Sequence, residues 1–210
     1  MRKTALSLGV LFLAIALISA LPGSAAAQDQ DPPGRVARLN YIQGSVSYQL
    51  SGDQDWVQAD PNRPLTTGDN LWADKDSRGE VHIGSTAIRM SSETGISFLT
   101  LDDRTTQLQL AQGTIEVHLR ILPSGDAFEV DTPNLALTLT RPGEYRIDTD
   151  PNGGSTAIVV REGAGEVTGG GDTWNLGPDQ QYTFNGTDQL TYDAGPAPGF
   201  PFRGRLGLRP

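Results

Sequence analysis

The tripeptide Glu-Val-His occurs twice in this sequence, once from Glu80 to His82 and once from Glu116 to His118. Side chains two residues apart lie on the same face of a strand, so each copy places a carboxylate beside an imidazole. If the two strands were neighbours in register, two carboxylates and two imidazoles would surround a zinc ion. The spacing does not encode that register, and the polar faces of two half-buried strands explain the same residues. We therefore assign no metal site.

A second candidate for ion binding runs from Asp148 to Gly153 and reads Asp-Thr-Asp-Pro-Asn-Gly. It matches the first half of a calcium loop, which needs oxygen ligands at alternate positions and glycine at the sixth. The twelfth position is Val159, where such a loop has a bidentate glutamate, and the flanking sequence predicts strands. Because Pro, Asn and Gly also satisfy the dihedral angles of a hairpin turn, we predict a turn here and no calcium ligand.

The residue types needed for nucleophilic catalysis are sparse. The sequence has no cysteine and no Gly-x-Ser-x-Gly elbow. The acidic pairs Asp102–Asp103 and Asp53–Asp55 fall in predicted loops, where solvated charge is the ordinary role. A glycosidase using two distant carboxylates stays open, because sequence spacing does not reveal such a pair. We predict no enzyme activity, no catalytic residue and no cofactor.

Three tryptophans, Trp56, Trp72 and Trp174, are the candidates for binding a sugar ring. Aromatic side chains of this kind more often cover a small sheet core, with the indole N–H bonded to the backbone. Core packing is therefore the favoured interpretation, and a carbohydrate platform is the alternative.

Strict alternation of apolar and polar residues dominates from Val36 to Asp193 and predicts β-strands. In residues 114–121 every second residue is aliphatic, and residues 135–139 repeat the pattern. One apolar face and one polar face are typical of antiparallel sheets. Turn signals rich in Gly, Asp, Asn and Pro separate these runs. The sequence therefore predicts an all-β fold, an antiparallel sandwich or jelly-roll-like module.

A faint internal repeat keeps a short β-solenoid open as the alternative. Gly-Ser-Val at residues 44–46 is followed by Gly-Asp, Trp56 and Leu-Thr-Thr-Gly-Asp, and Gly-Glu-Val at residues 165–167 by Gly-Asp, Trp174 and Leu-Gly-Pro-Asp. The spacing between the matching pieces is irregular, which is weaker than a true solenoid repeat.

The first 27 residues predict export. Arg2 and Lys3 precede an uncharged, mostly apolar run over residues 5–20, and Ala-Ala-Ala at 25–27 supplies a cleavage pattern. We predict a signal helix in a signal peptide at 1–27, a linker at 28–35, one all-β domain at 36–193 and a disordered Pro/Gly/Arg-rich tail at 194–210. The alternative to cleavage is an uncleaved anchor.

Charge and composition exclude several partners. Removing residues 1–27 takes two of 16 basic residues and none of 25 acidic ones, leaving 14 against 25 and a net charge of −11. Such a surface repels phosphate backbones, so we expect no nucleic-acid partner, and no membrane insertion once the signal peptide is removed. Without cysteine there is neither a disulfide nor a lipid anchor.

Six motifs, in order, resemble the FecR-type periplasmic domain, and especially the exported stand-alone FecR-like proteins of Gram-negative bacteria. They are Leu-x-x-Gly-Asp-x-Leu at 65–71, Ile-Gly-Ser-x-Ala-Ile-Arg at 83–89, Gly-x-Ile at 113–115, Phe-Glu-Val-Asp-Thr-Pro at 128–133, Arg-Pro-Gly-Glu-Tyr-Arg-Ile-Asp at 141–148 and Arg-Glu-Gly-x-Gly-Glu-Val at 161–167.

In the namesake proteins a cytoplasmic segment controls an extracytoplasmic-function sigma factor, and the periplasmic domain receives a signal from an outer-membrane transporter. This sequence shows no cytoplasmic segment before its apolar run. The resemblance therefore implies a periplasmic or secreted, non-catalytic binding or scaffold module that contacts another envelope protein, in envelope signalling, and no small-molecule ligand. Two alternatives stay open: a carbohydrate- or peptidoglycan-binding module, and a component of a sigma-factor regulatory system.

Overall fold

The computed structural model describes residues 34–198, which form seventeen β-strands. In chain order they are β1 (Ala37–Gln43), β2 (Val46–Gln49), β3 (Val57–Gln58), β4 (Arg63–Leu65), β5 (Asn70–Ala73), β6 (Arg78–Ile83), β7 (Thr86–Met90), β8 (Thr94–Leu101), β9 (Thr105–Leu119), β10 (Ala127–Asp131), β11 (Ala136–Leu139), β12 (Gly143–Thr149), β13 (Ser155–Glu162), β14 (Gly165–Gly169), β15 (Asp172–Leu176), β16 (Gln180–Asn185) and β17 (Thr191–Pro196).

The strands form two sheets that share the long strand β9. Sheet A has the order β4-β1-β6-β7-β9-β12-β13-β16-β17. Sheet B has the order β3-β2-β5-β8-β9-β10-β11-β14-β15. Among the described strands only β9 and β10 pair in parallel. The predicted all-β antiparallel fold is confirmed.

Strand β9 changes sheet at a single glycine. Leu108 and Leu110 are buried in its sheet B half, whereas Ile115 and Val117 are buried in its sheet A half, so the inward positions switch from even to odd. Gly113 lies between them at φ +91°, and a Cβ there would come within 2.6 Å of the Thr94 Cα. The register with β8 shifts between Leu110 and Gln112, so the extra residue Ala111 forms a bulge that switches the inward positions. The left-handed Gly113 follows it, where the strand passes from sheet B to sheet A.

Inward-facing side chains of both sheets form one continuous hydrophobic core, as the alternation in the sequence predicts. Phe98 from sheet B and Tyr145 and Phe184 from sheet A are among its largest fully buried members. Ile121 departs from the prediction, because β9 ends at Leu119, where its pairing with β12 ends, and Ile121 is 63% exposed.

From β10 onward the chain adds hairpins to the two sheets alternately. Hairpin β10–β11 joins sheet B, β12–β13 joins sheet A, β14–β15 joins sheet B and β16–β17 joins sheet A. The path thus winds around the core as in a solenoid, while the pairing is that of an antiparallel sandwich. The two echoing segments of the sequence lie next to opposite edges of sheet B, in β2 and β14.

Several motif residues maintain the fold. Asp69 is 2% exposed and accepts hydrogen bonds from the backbone N–H groups of Ser51 and Thr66, both at 2.9 Å. The Tyr145 hydroxyl donates to the Arg141 carbonyl at 2.5 Å and accepts from the Ala164 N–H at 3.0 Å. These residues stabilise turns and strand ends. The motifs therefore indicate the fold and do not identify a binding surface.

The predicted signal peptide at 1–27, most of the linker and the tail from residue 199 onward lie outside the described residues. The end of the linker is anchored, because Arg35 forms an ion pair with Asp126 at 3.0 Å. Strand β17 continues to Pro196, three residues into the segment predicted as tail, because its backbone pairs with β16. No helix within residues 34–198 has the length and hydrophobicity needed to cross a membrane.

Candidate functional site

Both Glu-Val-His tripeptides lie on the outer face of sheet A, but β7 separates them. Cross-strand register aligns Glu80 of β6 with Arg89 of β7, Arg89 with Glu116 of β9, and Glu116 with Arg146 of β12. We call this row of alternating charges the charge ladder. Adjacent strands are about 4.8 Å apart, so the two tripeptides are separated by roughly twice that distance. The neighbouring-strand register that a zinc site requires is therefore not the one observed.

At the β6 end of the charge ladder, the side chains of Glu80, His82 and Arg89 are joined by hydrogen bonds. His82 Nε2 lies 2.6 Å from Glu80 Oε1, and His82 Nδ1 lies 3.0 Å from Asn40 Nδ2. Arg89 Nε donates to Glu80 Oε2 at 2.7 Å. Burial alone would raise the pKa of Glu80, but the hydrogen bonds with His82 and Arg89 outweigh it and leave that pKa below its usual value.

Glu116 is the exception within the charge ladder. It is 7% exposed, and its Oε1 accepts no hydrogen bond. Arg146 Nη1 is 3.9 Å away, while its other guanidinium nitrogens are bound to Asp148 at 2.7 and 2.8 Å. Burial raises the pKa of Glu116, and the positive charges of Arg146 and Arg89 only partly oppose it. Glu116 therefore has a buried carboxylate oxygen without a hydrogen-bond donor.

The second tripeptide has its own neighbour. His118 Nδ1 lies 3.4 Å from Glu144 Oε1 on β12, with both side chains partly exposed. Among residues 34–198 no three His, Asp or Glu side chains are arranged to hold a metal ion. On β6, β7, β9 and β12 the outer face of sheet A carries a network of ion pairs and hydrogen bonds.

The segment from Asp148 to Gly153 comprises the end of β12 and the turn that leads to β13. The Asp148 carboxylate is occupied by Arg146 and by the Thr114 hydroxyl at 2.7 Å. Asp150 Oδ1 accepts from the Asn152 N–H at 3.3 Å, and the Gly153 N–H donates to the Asp150 carbonyl at 2.8 Å. The segment thus contributes the hairpin turn that the sequence predicts, and the carboxylates of Asp148 and Asp150 both accept hydrogen bonds from protein groups.

The other acidic candidates and the tryptophans are dispersed. Asp102 caps the β8–β9 turn by accepting from two backbone N–H groups, which lowers its pKa. Trp56 is 48% exposed near β3, and Trp72 lies over Gly95 with its indole N–H donating to Asp74 at 2.8 Å. Trp174 faces the core from β15, with β8, β9, β10, β11 and β14 between it and the β5 strand of Trp72. The three tryptophans do not form one platform.

Within residues 34–198, sheet A ends at β17, which pairs with β16 on one side only. The Ala197 N–H donates to the Asp179 carbonyl, so by the alternation of antiparallel pairs Gly195, Asp193 and Thr191 bond to β16. The N–H and C=O groups of Tyr192 and Ala194 then point away from the sheet. Five of the six residues of β17 are exposed. We call this free backbone the β17 edge.

An aromatic cluster lies behind the β17 edge and joins the two sheets. Tyr192 stacks on the buried Phe184 with ring centroids 5.5 Å apart, and Trp174 from sheet B contacts both rings at 5.4 and 6.0 Å. Tyr192 is still 47% exposed. Sequence analysis missed this cluster, although Tyr182 and Phe184 followed by Asn-Gly and Tyr192 are an aromatic hairpin signal.

The comparisons with known proteins show similarity at the level of fold. Two crystal structures of a "putative anti-sigma factor" from Parabacteroides distasonis ATCC 8503, at 2.50 and 1.65 Å resolution, superpose with TM-score 0.53 at 16% and 15% identity. In both cases the match covers 61% of this chain and 60% of the other chain. No family model matches the sequence, and no curated protein matches it.

Proposed function

We propose that this chain is a non-catalytic, periplasmic FecR-like binding module that acts through protein–protein contacts in envelope signalling. One observation carries the proposal: within residues 34–198, sheet A ends in the six-residue strand β17, whose outer backbone groups pair with no other strand of that range. An exposed edge of this kind is a template for a strand from another chain. The six ordered FecR-type motifs and the anti-sigma-factor fold neighbours support the same class of function.

The surface chemistry supports a protein partner over a nucleic acid or a metabolite. The charge ladder presents paired side chains of both signs, which suits recognition of a folded surface through electrostatic complementarity. The mature chain has a net charge of −11 by the sequence count, which disfavours phosphate backbones.

Photo-crosslinking in the living envelope tests the proposal. A photoreactive residue at Asp193, beside the β17 edge, should trap one discrete protein of the cell envelope. The same residue at Gln109, on the outer face of sheet B, is the matched control and should trap it poorly. If neither position, nor positions along the charge ladder, yields a protein adduct, a protein-binding function is wrong.

The exposed Trp56 ring favours testing carbohydrate binding as a second candidate. Sedimentation with purified peptidoglycan, abolished by Trp56→Ala or Trp72→Ala in a folded protein, would replace our proposal. The Parabacteroides distasonis neighbours favour a third, a sigma-factor regulatory component. That role requires residues 1–27 to be retained as an anchor. The intact mass of the protein isolated from cells shows whether they are retained.

A further inference from the structure

We infer that the β17 edge accepts an extended, cationic segment of the partner protein, which adds to sheet A as its next strand. This inference rests on the proposed function and names the chemistry of the partner. Three features of the edge lead to it: its free backbone groups, its charge and its half-exposed aromatic ring.

The β17 edge is the longest of the four sheet edges within residues 34–198. Strand β3 has two residues, and β4 has three with Pro64, which lacks an N–H, in the middle. Strand β15 has five residues, and its free groups belong to Thr173 and Asn175. Short strands and proline protect an edge from strand addition, and β17 has its proline only at its last position.

The negative charge around β17 favours a positively charged partner strand. Residues 165–196, which form β14 to β17, contain five acidic residues and no basic one. They are Glu166, Asp172, Asp179, Asp188 and Asp193. The Asp193 side chain projects from the outer face of β17 and is exposed. Lysine or arginine on the facing strand would lie beside Asp193 as a cross-strand pair of opposite charge.

The inner face of β17 favours an apolar residue on the partner strand. Tyr192 lies on the core side of β17, where Phe184 and Trp174 support its ring, and about half of its surface is uncovered. An added strand would place alternate side chains over this ring. The preferred partner segment therefore alternates apolar residues facing Tyr192 with basic residues facing Asp193.

A second copy of this chain is a poorer occupant. Antiparallel pairing of two β17 strands about a two-fold axis at Asp193 puts the two Asp193 residues directly opposite each other, with Cα atoms about 4.5 Å apart. Like charges at that position are destabilising. Pairing centred at Ala194 would require an N–H from Pro196, which has none.

The test measures binding of the fluorescein-labelled peptide acetyl-(Val-Lys)4-amide to the full chain by anisotropy at low ionic strength. The matched peptide acetyl-(Val-Glu)4-amide should bind at least tenfold more weakly. Ala194→Pro removes a free N–H of the β17 edge without removing a bond to β16, and it should weaken (Val-Lys)4 binding at least tenfold. Thr173→Pro removes a free N–H at the β15 edge without removing a bond to β14. It is the control and should leave (Val-Lys)4 binding unchanged.

Asp193→Lys is the second variant, useful if Ala194→Pro unfolds, and it should reverse the preference between the two peptides. Equal binding of (Val-Lys)4 by the Ala194→Pro and Thr173→Pro proteins would show non-specific attraction to an acidic surface and overturn the inference. A dimer that Ala194→Pro dissociates would assign the edge to a second copy instead. Tighter peptide binding in the Arg203→Ser/Arg205→Ser/Arg209→Ser protein would assign it to this chain's own basic segment.

The two proposals fail separately. If the envelope partner is still trapped by the Ala194→Pro protein, the protein-binding function stands and the β17 edge is not its site. If (Val-Lys)4 binds the edge as expected but no envelope protein is ever trapped, the edge chemistry stands and the proposed function is wrong.

Discussion

Glu116 shows how a surface strand can hold a buried charge. It lies on the outer face of sheet A, yet its neighbours in the charge ladder cover it and direct their hydrogen bonds to Glu80 and Asp148. A buried acceptor without a donor is costly in free energy. Because its burial raises the pKa of Glu116 above the ordinary 4.5, the folded protein binds this proton more tightly than the unfolded chain.

Glu116→Gln should therefore stabilise the protein at neutral pH, by roughly 1 kcal/mol. Stability of the native chain falls as pH rises from 4.5 through the raised pKa of Glu116, so the advantage of the variant appears above that range and vanishes below it. Urea unfolding between pH 4 and 8 measures this.

Glu80→Gln is the matched control, and its effect on the free energy of unfolding should have the opposite sign. The pKa of Glu80 is lowered, so its contribution to stability is present above 4.5 and is lost as pH falls through the lowered value. This variant should lose a few tenths to about 1 kcal/mol at neutral pH. Equal effects of the two substitutions at pH 7 would contradict the assignment of Glu116 as the unpartnered group.

We expect the fold to be metal-independent. Both ring nitrogens of His82 are within hydrogen-bond distance of protein groups, and β7 separates His82 from His118. Zinc, calcium or a chelator should leave the melting temperature unchanged, since only a ligand of the native state raises it. An increase with zinc that His82→Ala or His118→Ala removes would contradict this expectation.

At the scale of elements, the passage of β9 from sheet B to sheet A runs through a left-handed glycine, Gly113. Gly113 combines φ +91° with a close approach to the Thr94 Cα, so Gly113→Ala requires both strain and a backbone shift. We expect a loss of at least about 3 kcal/mol in the free energy of unfolding, measured by urea denaturation.

Gly52→Ala is the control for conformation alone. Gly52 has φ +84°, and no atom lies within 4 Å of the position that an alanine Cβ would occupy, so the substitution should cost only about 1 kcal/mol. Similar losses for both variants would mean that the contact with Thr94 does not restrain β9.

The strands were largely predictable from the sequence, but which strands pair with one another was not. Alternation identified the inward residues of β11 and of the C-terminal part of β9, because one face of each strand is buried. It did not place β7 between the two Glu-Val-His strands, because pairing order and register are set by long-range packing. For the same reason Tyr192 gave no sign that it would lie at an open edge beside Trp174, which is distant from it in strand order.

At the scale of the molecule, the N-terminal residues decide between two roles. The Ala-Ala-Ala pattern at 25–27 predicts a mature protein beginning at Gln28. Intact-mass analysis of the soluble periplasmic fraction should find that species. A membrane-bound chain that retains residues 1–27 would favour the anchored sigma-factor regulator.

The alternating path from β10 to β17 makes the C-terminal half a stack in which each hairpin rests on an earlier one. Among the described strands, hairpin β16–β17 pairs only with β13, and hairpin β12–β13 pairs with β9. Strand β9 pairs with β7, β8, β10 and β12. In such a stack local unfolding begins at the last unit and proceeds inward. Amide hydrogen exchange should therefore be slowest in β9 and fastest in β17, where the Tyr192 and Ala194 amides need no opening at all. The strand that we expect to bind a partner is thus the least stable strand of the sheet. Partner binding should slow amide exchange first in β17 and then in the strands between β17 and β9.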